Sequence, residues 1–207
     1  MPQRMVPKNM SPNDMKIGLL FGSFNPVHTG HLLIASYMAD HTGLDKIWFV
    51  VSPQNPFKEI TDLLDEHQRL QMLQMAIEGD DRFEACDIEF KLDRPSYTIN
   101  TLIQLSTKYP EHVFIPIVGG DNFQSFHKWK DHDSILEKYE IFVYRREGFA
   151  ENKLLNGHPK IKFFEVPLLN ISSTYIRENI HAGKSISYLV PEKVREFIHK
   201  NNLYMQH

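Results

Sequence analysis

Lys16-Ile-Gly-Leu-Leu-Phe21, running into Gly22-Ser-Phe-Asn-Pro-Val-His-Thr-Gly-His31, is the stretch that decides the fold. Its first half is a short apolar run that stops at a glycine, which reads as a buried strand. A polar loop follows. From about Thr29 the spacing changes, and Leu32, Leu33, Ala35, Ser36 and Met38 fall where one face of a helix would meet a core.

The same alternation continues outward. Residues 47–51 form a second apolar run, closed by Ser52-Pro53, and residues 63–77 carry Leu63, Leu70, Leu73, Met75 and Ile77 among polar neighbours as a helix would. A third strand is expected within 83–90, a helix over 98–109, and strands at 113–118, 140–144 and 162–166. Helices are expected at 174–181 and 192–200, with Pro191 just inside the start of the second. Pro116 removes one backbone donor from its strand and points to an edge, a bulge or a strand end. Strands alternating with helices imply an α/β fold built on a doubly wound, mostly parallel sheet. Ligands in such folds sit beyond the carboxyl ends of the strands, where the loops after Phe21, Val51 and Val118 lie.

A chain of 207 residues fits one generous domain, expected over 15–207, better than two. Residues 1–14, polar and broken by Pro2, Pro7 and Pro12, read as a flexible extension. They lack the apolar run of a signal peptide, and no later stretch is long enough to span a bilayer, so a cytoplasmic protein without a membrane partner is expected. Cys86 is the single cysteine, which rules out an internal disulfide and suits a reducing compartment. A formal net charge of −3 disfavours broad binding to nucleic acid.

The loop after the first strand carries the most chemistry. Gly22 lets the backbone approach a ligand, and the helix start beyond it offers free N–H groups and a positive dipole end for phosphate. His28 and His31, three residues apart, can reach one side of the first turn and donate to a polyphosphate. Two histidines could instead ligate a metal, but zinc needs further ligands that this loop does not supply, and no metal site is expected. Near the other end, Ile171-Ser-Ser-Thr-Tyr-Ile-Arg177 would open a helix with hydroxyls and free amides, with Arg177 one turn along. Taken alone, it reads equally well as an ordinary Ser/Thr cap with a solvated arginine.

Together these strings identify a family. GSFNPVHTGHL resembles the HxGH signature of the nucleotidyltransferase superfamily, and ISSTYIR resembles its ISSTxIR element. The resemblance implies that His28, His31 and Arg177 act on the triphosphate of ATP. It also implies nucleotide contacts from Gly22, Ser23, Phe24, Gly30, Ile171, Ser172, Ser173 and Thr174. Further segments are similar to one branch, the bacterial nicotinate mononucleotide adenylyltransferases: Arg94-Pro-Ser-Tyr-Thr-Ile-Asn-Thr-Leu102, Gly119-Gly-Asp-Asn-Phe123, Phe126-His-Lys-Trp129 and Ser187-Tyr-Leu-Val-Pro-Glu-Lys-Val-Arg195. Two departures are Asn100 in place of an acid and Phe57 in place of a histidine.

That branch implies ATP and nicotinate mononucleotide as substrates, with Mg2+ bound to the triphosphate. Gly119, Asp121 and Arg145 would serve the ATP side, Asp121 by accepting from the ribose hydroxyls. Ser96, Tyr97, Thr98, Trp129 and Lys130 would take the acceptor: Trp129 as a flat face, and amides near Thr98 and Lys130 for the carboxylate. Lys58 would meet the acceptor phosphate. Arg69 and Arg82 are expected at the surface. Alternatives are an adenylyltransferase for another phosphate acceptor, a non-catalytic nucleotide-binding regulator and, more remotely, a tRNA synthetase relative. Homo-oligomerisation is left open.

Overall fold

The structure is a computed structural model that describes residues 14–53, 63–145, 157–167 and 169–205. All but the last residue of the expected leading extension, and Phe57 and Lys58 with it, lie outside the described residues.

Six strands form one sheet: β1 (Lys16–Gly22), β2 (Lys46–Val51), β3 (Phe83–Cys86), β4 (Val113–Gly119), β5 (Ile141–Arg145) and β6 (Ile161–Glu165). Their spatial order is β3-β2-β1-β4-β5-β6 and every pairing is parallel. The sheet is therefore doubly wound, reversing direction between β1 and β4. Side chains alternate across it as the two-residue period of a strand requires. Leu20, Phe49, Val51, Ile117 and Phe142 enter one core, while Ile17, Leu19, Val50, Phe114 and Val143 enter the other.

Seven α-helices cover the two faces: α1 (Thr29–His41), α2 (Glu66–Ile77), α3 (Thr98–Lys108), α4 (Gly120–Gln124), α5 (His132–Lys138), α6 (Ser173–His181) and α7 (Glu192–Lys200). The first core receives α1, α2, α6 and α7 through Met38, Leu73, Ile176 and Ile198. The second receives α3, α4 and α5 through Leu102, Phe123 and Ile135. Among the described residues, no helix is long and apolar enough to cross a membrane.

Two expectations need correcting, those for Pro116 and Pro191. Pro116 sits in a central strand and not at an edge. It pairs with Leu19 of β1, but pairing with β5 starts only at Ile117, so one flank of the strand is unpaired where the donor is missing. The third strand lies within its expected range: β3 ends at Cys86, and Ile88–Lys91 is a 3-10 turn that sends Ile88 into the second core. Pro191 is the cap residue immediately before α7 and not its first helical residue. Cys86 is half-buried, and burial pushes its thiol up to about 11, so it stays protonated and unreactive at neutral pH.

Neighbouring positions on α3 test the packing. Leu102 is fully buried, whereas Ile103 is 48% exposed. In urea unfolding, Leu102→Ala should cost about 2–5 kcal/mol and Ile103→Ala less than about 1 kcal/mol. Similar losses at both sites would contradict the orientation of this helix.

Candidate active site

β1 and β4 lie side by side at the point where the winding reverses, and the chain leaves them at Gly22 and Gly119. The crevice between such diverging connections is where this class of sheet takes ligands. After Gly22 the backbone enters the left-handed region at Phe24, with φ 46°. That conformation sends the Phe24 ring inward, where it is 1% exposed and packs edge-on against Phe49 and His31. A Cβ on Gly22 would lie 2.9 Å from this ring. The glycine is thus required by the loop's own packing, and Phe24 has only its main chain to offer a nucleotide.

The loop ends at His28, which caps α1 in an extended conformation. Its backbone N–H donates to His31 Nδ1 at 3.2 Å, and the two rings stack with centroids 3.6 Å apart. Because Nδ1 of His31 accepts, the neutral ring carries its proton on Nε2 and presents a donor there. The helix start is pinned from the far end of the chain: Thr29 N donates to Leu189 O, and Thr29 Oγ1 contacts the carbonyls of Tyr188 and Leu189.

The C-terminal motif arrives at the same place. Ser172 caps α6 by accepting from Tyr175 N, so the ordinary cap is present. Ser173 Oγ, however, donates to Pro26 O at 2.9 Å, and Arg177 Nη1 donates to Asn25 O at 2.9 Å. Arg177 is therefore not a solvated surface cation. Its Nη2 reaches Thr174 Oγ1 at 3.5 Å, which fixes the fork further. A Cβ on Gly30 would meet the His28 ring at 3.0 Å and Ile171 O at 3.9 Å, so this glycine allows the two motifs to approach. His28, Gly30, His31, Ile171, Ser172, Ser173, Thr174 and Arg177 form one cluster.

At the end of β4, a Cβ on Gly119 would sit 2.5 Å from Asp121 Oδ1 and 2.9 Å from the Tyr144 hydroxyl. Glycine there lets the Asp121 carboxylate fold back beside β5. Arg145, at the end of β5, donates to Glu165 Oε1 at 2.9 Å and lies over the Phe163 ring.

The residues expected at the acceptor form a second group. Tyr97 caps α3, Thr98 is its first residue, and Lys130 Nζ lies 4.8 Å from the Tyr97 ring centroid. Half-buried Trp129 packs on Phe126, with centroids 5.2 Å apart. The Ser96 hydroxyl turns inward and donates to Glu89 Oε2 at 2.7 Å, which leaves its main chain for a ligand. Glu89 also accepts from Thr101 Oγ1 at 2.8 Å and is 3% exposed. This buried carboxylate, which the sequence reading did not single out, locks the start of α3 to the preceding turn.

The clearest correction concerns Arg69. Far from the surface, it is 1% exposed, and its guanidinium donates to the carbonyls of Leu64, Ser23, Ser52 and Pro53 at 2.6–3.0 Å. Burial lowers its pKa from the ordinary value, yet an arginine stays charged at neutral pH. Arg69 lies on the buried face of α2, beside Met72 and Leu73, three and four residues on. Arg82 does lie at the surface, paired with Asp40 and Asp80. Another tie was not foreseen either: Asn25 Oδ1 accepts from Leu64 N and from the hydroxyl of buried Tyr204.

Comparisons with known proteins agree with this arrangement. The cytidylyltransferase-like family model matches residues 19–179. A relative from Flavobacterium johnsoniae, named "Probable nicotinate-nucleotide adenylyltransferase", is 50% identical, covering 92% of this chain and 99% of its own. One of the same name from Cytophaga hutchinsonii is 49% identical, covering 92% and 98%. Among solved structures, nicotinic acid mononucleotide adenylyltransferase of Plasmodium falciparum complexed with NaAD superposes with a TM-score of 0.76. It is 19% identical, covering 92% of this chain and 97% of the other, which speaks for the fold. The same enzyme complexed with APC gives a TM-score of 0.76 at 18% identity. With both motifs meeting at the switch point of the sheet, and with relatives matched along nearly their whole length, the chain belongs to the cytidylyltransferase-like family and, within it, to the nicotinate-nucleotide adenylyltransferases.

Proposed function

We propose that this chain joins nicotinate mononucleotide to the adenylyl group of ATP, giving nicotinate adenine dinucleotide and pyrophosphate in NAD biosynthesis. One observation carries the reading: Ser173 and Arg177 bond to the loop that presents His28 and His31, so donors from both ends of the chain face one crevice.

In the proposed reaction a phosphate oxygen of nicotinate mononucleotide attacks the α-phosphorus of ATP in line with the departing pyrophosphate. One P–O bond forms and one breaks, and the attacking oxygen is already anionic. A general base and a covalent intermediate are therefore unnecessary, and catalysis rests on placement and charge stabilisation. His31 donates from Nε2 to the departing phosphates, stacked His28 holds it in orientation, and Arg177 adds a permanent charge. The main chain of Gly22, Ser23, Phe24 and Gly30 and the opening turn of α6 (Ile171 to Thr174) supply amides and hydroxyls around the triphosphate. Gly119, Asp121 and Arg145 line the nucleoside side, with Asp121 accepting from the ribose.

The acceptor fits the second group. Trp129 offers the nicotinate ring a face, and the main-chain amides near Thr98 and Lys130 receive its carboxylate, with Ser96 and Tyr97 shaping the turn. Lys58 is proposed as the counter-charge for the acceptor phosphate. Among the described residues, no three His, Cys, Asp or Glu side chains gather to hold a metal. This donor set suits a magnesium ion that enters on the triphosphate, held by substrate oxygens and water, where it neutralises phosphate charge. The compartment that suits these substrates and a single unpaired cysteine is the cytoplasm.

Two measurements test this reading. His31→Ala, assayed for pyrophosphate release with saturating ATP and nicotinate mononucleotide, should lower kcat by roughly 100-fold or more. An unchanged kcat in the folded variant would remove His31 from the transition state. The wild-type kcat/KM should be clearly higher for nicotinate mononucleotide than for nicotinamide mononucleotide, because an amide cannot replace the carboxylate opposite N–H donors. Equal values would refute the assignment of Thr98, Trp129 and Lys130.

A further inference from the structure

We infer that Arg69, buried behind the crevice at 1% exposure, is a positioning residue that gives the phosphate site its polarity by turning the carbonyls of the strand-end loops inward. The inference rests on the proposal that this crevice takes the ATP triphosphate.

The carboxyl end of a parallel strand presents carbonyl oxygens to whatever lies beyond it, and such oxygens repel a polyphosphate. Here they are withdrawn. Arg69 Nη1 takes Ser23 O at 2.6 Å and Ser52 O at 2.8 Å, Nη2 takes Pro53 O at 3.0 Å and Nε takes Leu64 O at 2.9 Å. Ser23 follows β1, and Ser52 and Pro53 follow β2; these strands are neighbours, tied once more by Ser52 N to Gly22 O. One side chain therefore sets the peptide orientation of both exits.

The consequence follows from peptide geometry. In a trans peptide the C=O and N–H point in opposite directions. The Ser23–Phe24 peptide is not among the cis bonds, so committing Ser23 O to the buried guanidinium turns the Phe24 N–H away from it. The chain then turns at once, with Phe24 at φ 46°.

Charge acts in the same direction. Among the described residues, no carboxylate lies within ion-pair distance of Arg69, and all four of its hydrogen bonds end on neutral carbonyls. A positive charge thus lies behind the loop, offset in part by the nearby carboxylates of Glu66 and Asp65. Arg69 also bridges Pro53 and Leu64, the described residues on either side of the segment containing Lys58.

Arg69→Gln and Arg69→Lys separate this role from plain stability. Glutamine keeps donors but loses the charge, whereas lysine keeps the charge but loses the fork. Both are assayed well below their unfolding midpoints, with kcat, KM for ATP and the ATP-induced rise in Tm as readouts. The expected result for Arg69→Gln is a roughly 10- to 100-fold fall in kcat/KM for ATP, the scale of a misplaced site, with the ATP-induced rise in Tm lost. Arg69→Lys should fall between Arg69→Gln and the wild type. A variant with lowered Tm but wild-type kcat, KM and ATP response would overturn the inference. Should Arg69→Gln not fold, Arg69→Lys decides alone: an unchanged KM for ATP overturns the inference, and a several-fold rise supports it. A wild-type protein that releases no pyrophosphate from ATP and nicotinate mononucleotide would overturn the functional reading and this inference with it. An active wild type with indifferent Arg69 variants overturns this inference alone.

Discussion

Two hydrogen bonds hold the site together: Ser173 Oγ to Pro26 O, spanning 147 residues of sequence, and Arg177 Nη1 to Asn25 O, spanning 152. Each is worth only about 1 kcal/mol net, but breaking either would leave a buried carbonyl without its donor, which costs more. Their effect is geometric more than energetic. They fix the start of α6 against the turn before α1, so two helix N-termini, two imidazoles and one guanidinium face the same space. Neither segment alone would make more than an ordinary capped helix.

Those bonds can form only because of how the sheet is wound. Reversal between β1 and β4 opens the crevice, and α1 and α6 pack on the same face of the sheet through Met38 and Ile176. The crevice is then shaped from beneath by buried polar groups. Arg69 gathers the carbonyls of the loops after β1 and β2, Asn25 receives Leu64 N and Tyr204 Oη, and Glu89 fastens Ser96 to α3. Satisfied networks of this kind are rigid, and a site that works by placement depends on rigidity.

The sequence revealed what is local and periodic. Apolar runs marked β1, β2 and β4 because burial on both faces of a parallel sheet demands continuous hydrophobicity. The HxGH and ISSTYIR strings could be read because together they resemble two signature elements of one family; taken alone, the second reads equally well as an ordinary helix cap. What could not be read depends on tertiary partners. Pro116 left an edge, a bulge and a strand end all open because the sequence does not show that β5 begins pairing one residue later. Arg69 looked like a surface cation because its partners are main-chain carbonyls, which leave no mark in composition. Nor does the sequence show that the Ser96 hydroxyl is committed to Glu89 on the preceding turn.

The central claim is that the turn through His28 and His31 and the helix opening at Ser172 grip one triphosphate. A crystal structure with a non-hydrolysable ATP analogue tests it directly. The account predicts phosphate oxygens within hydrogen-bonding distance of His31 Nε2 and, in the same molecule, of the Arg177 guanidinium or the first amides of α6. A triphosphate bound by only one of these segments, or lying outside the crevice between β1 and β4, would contradict it.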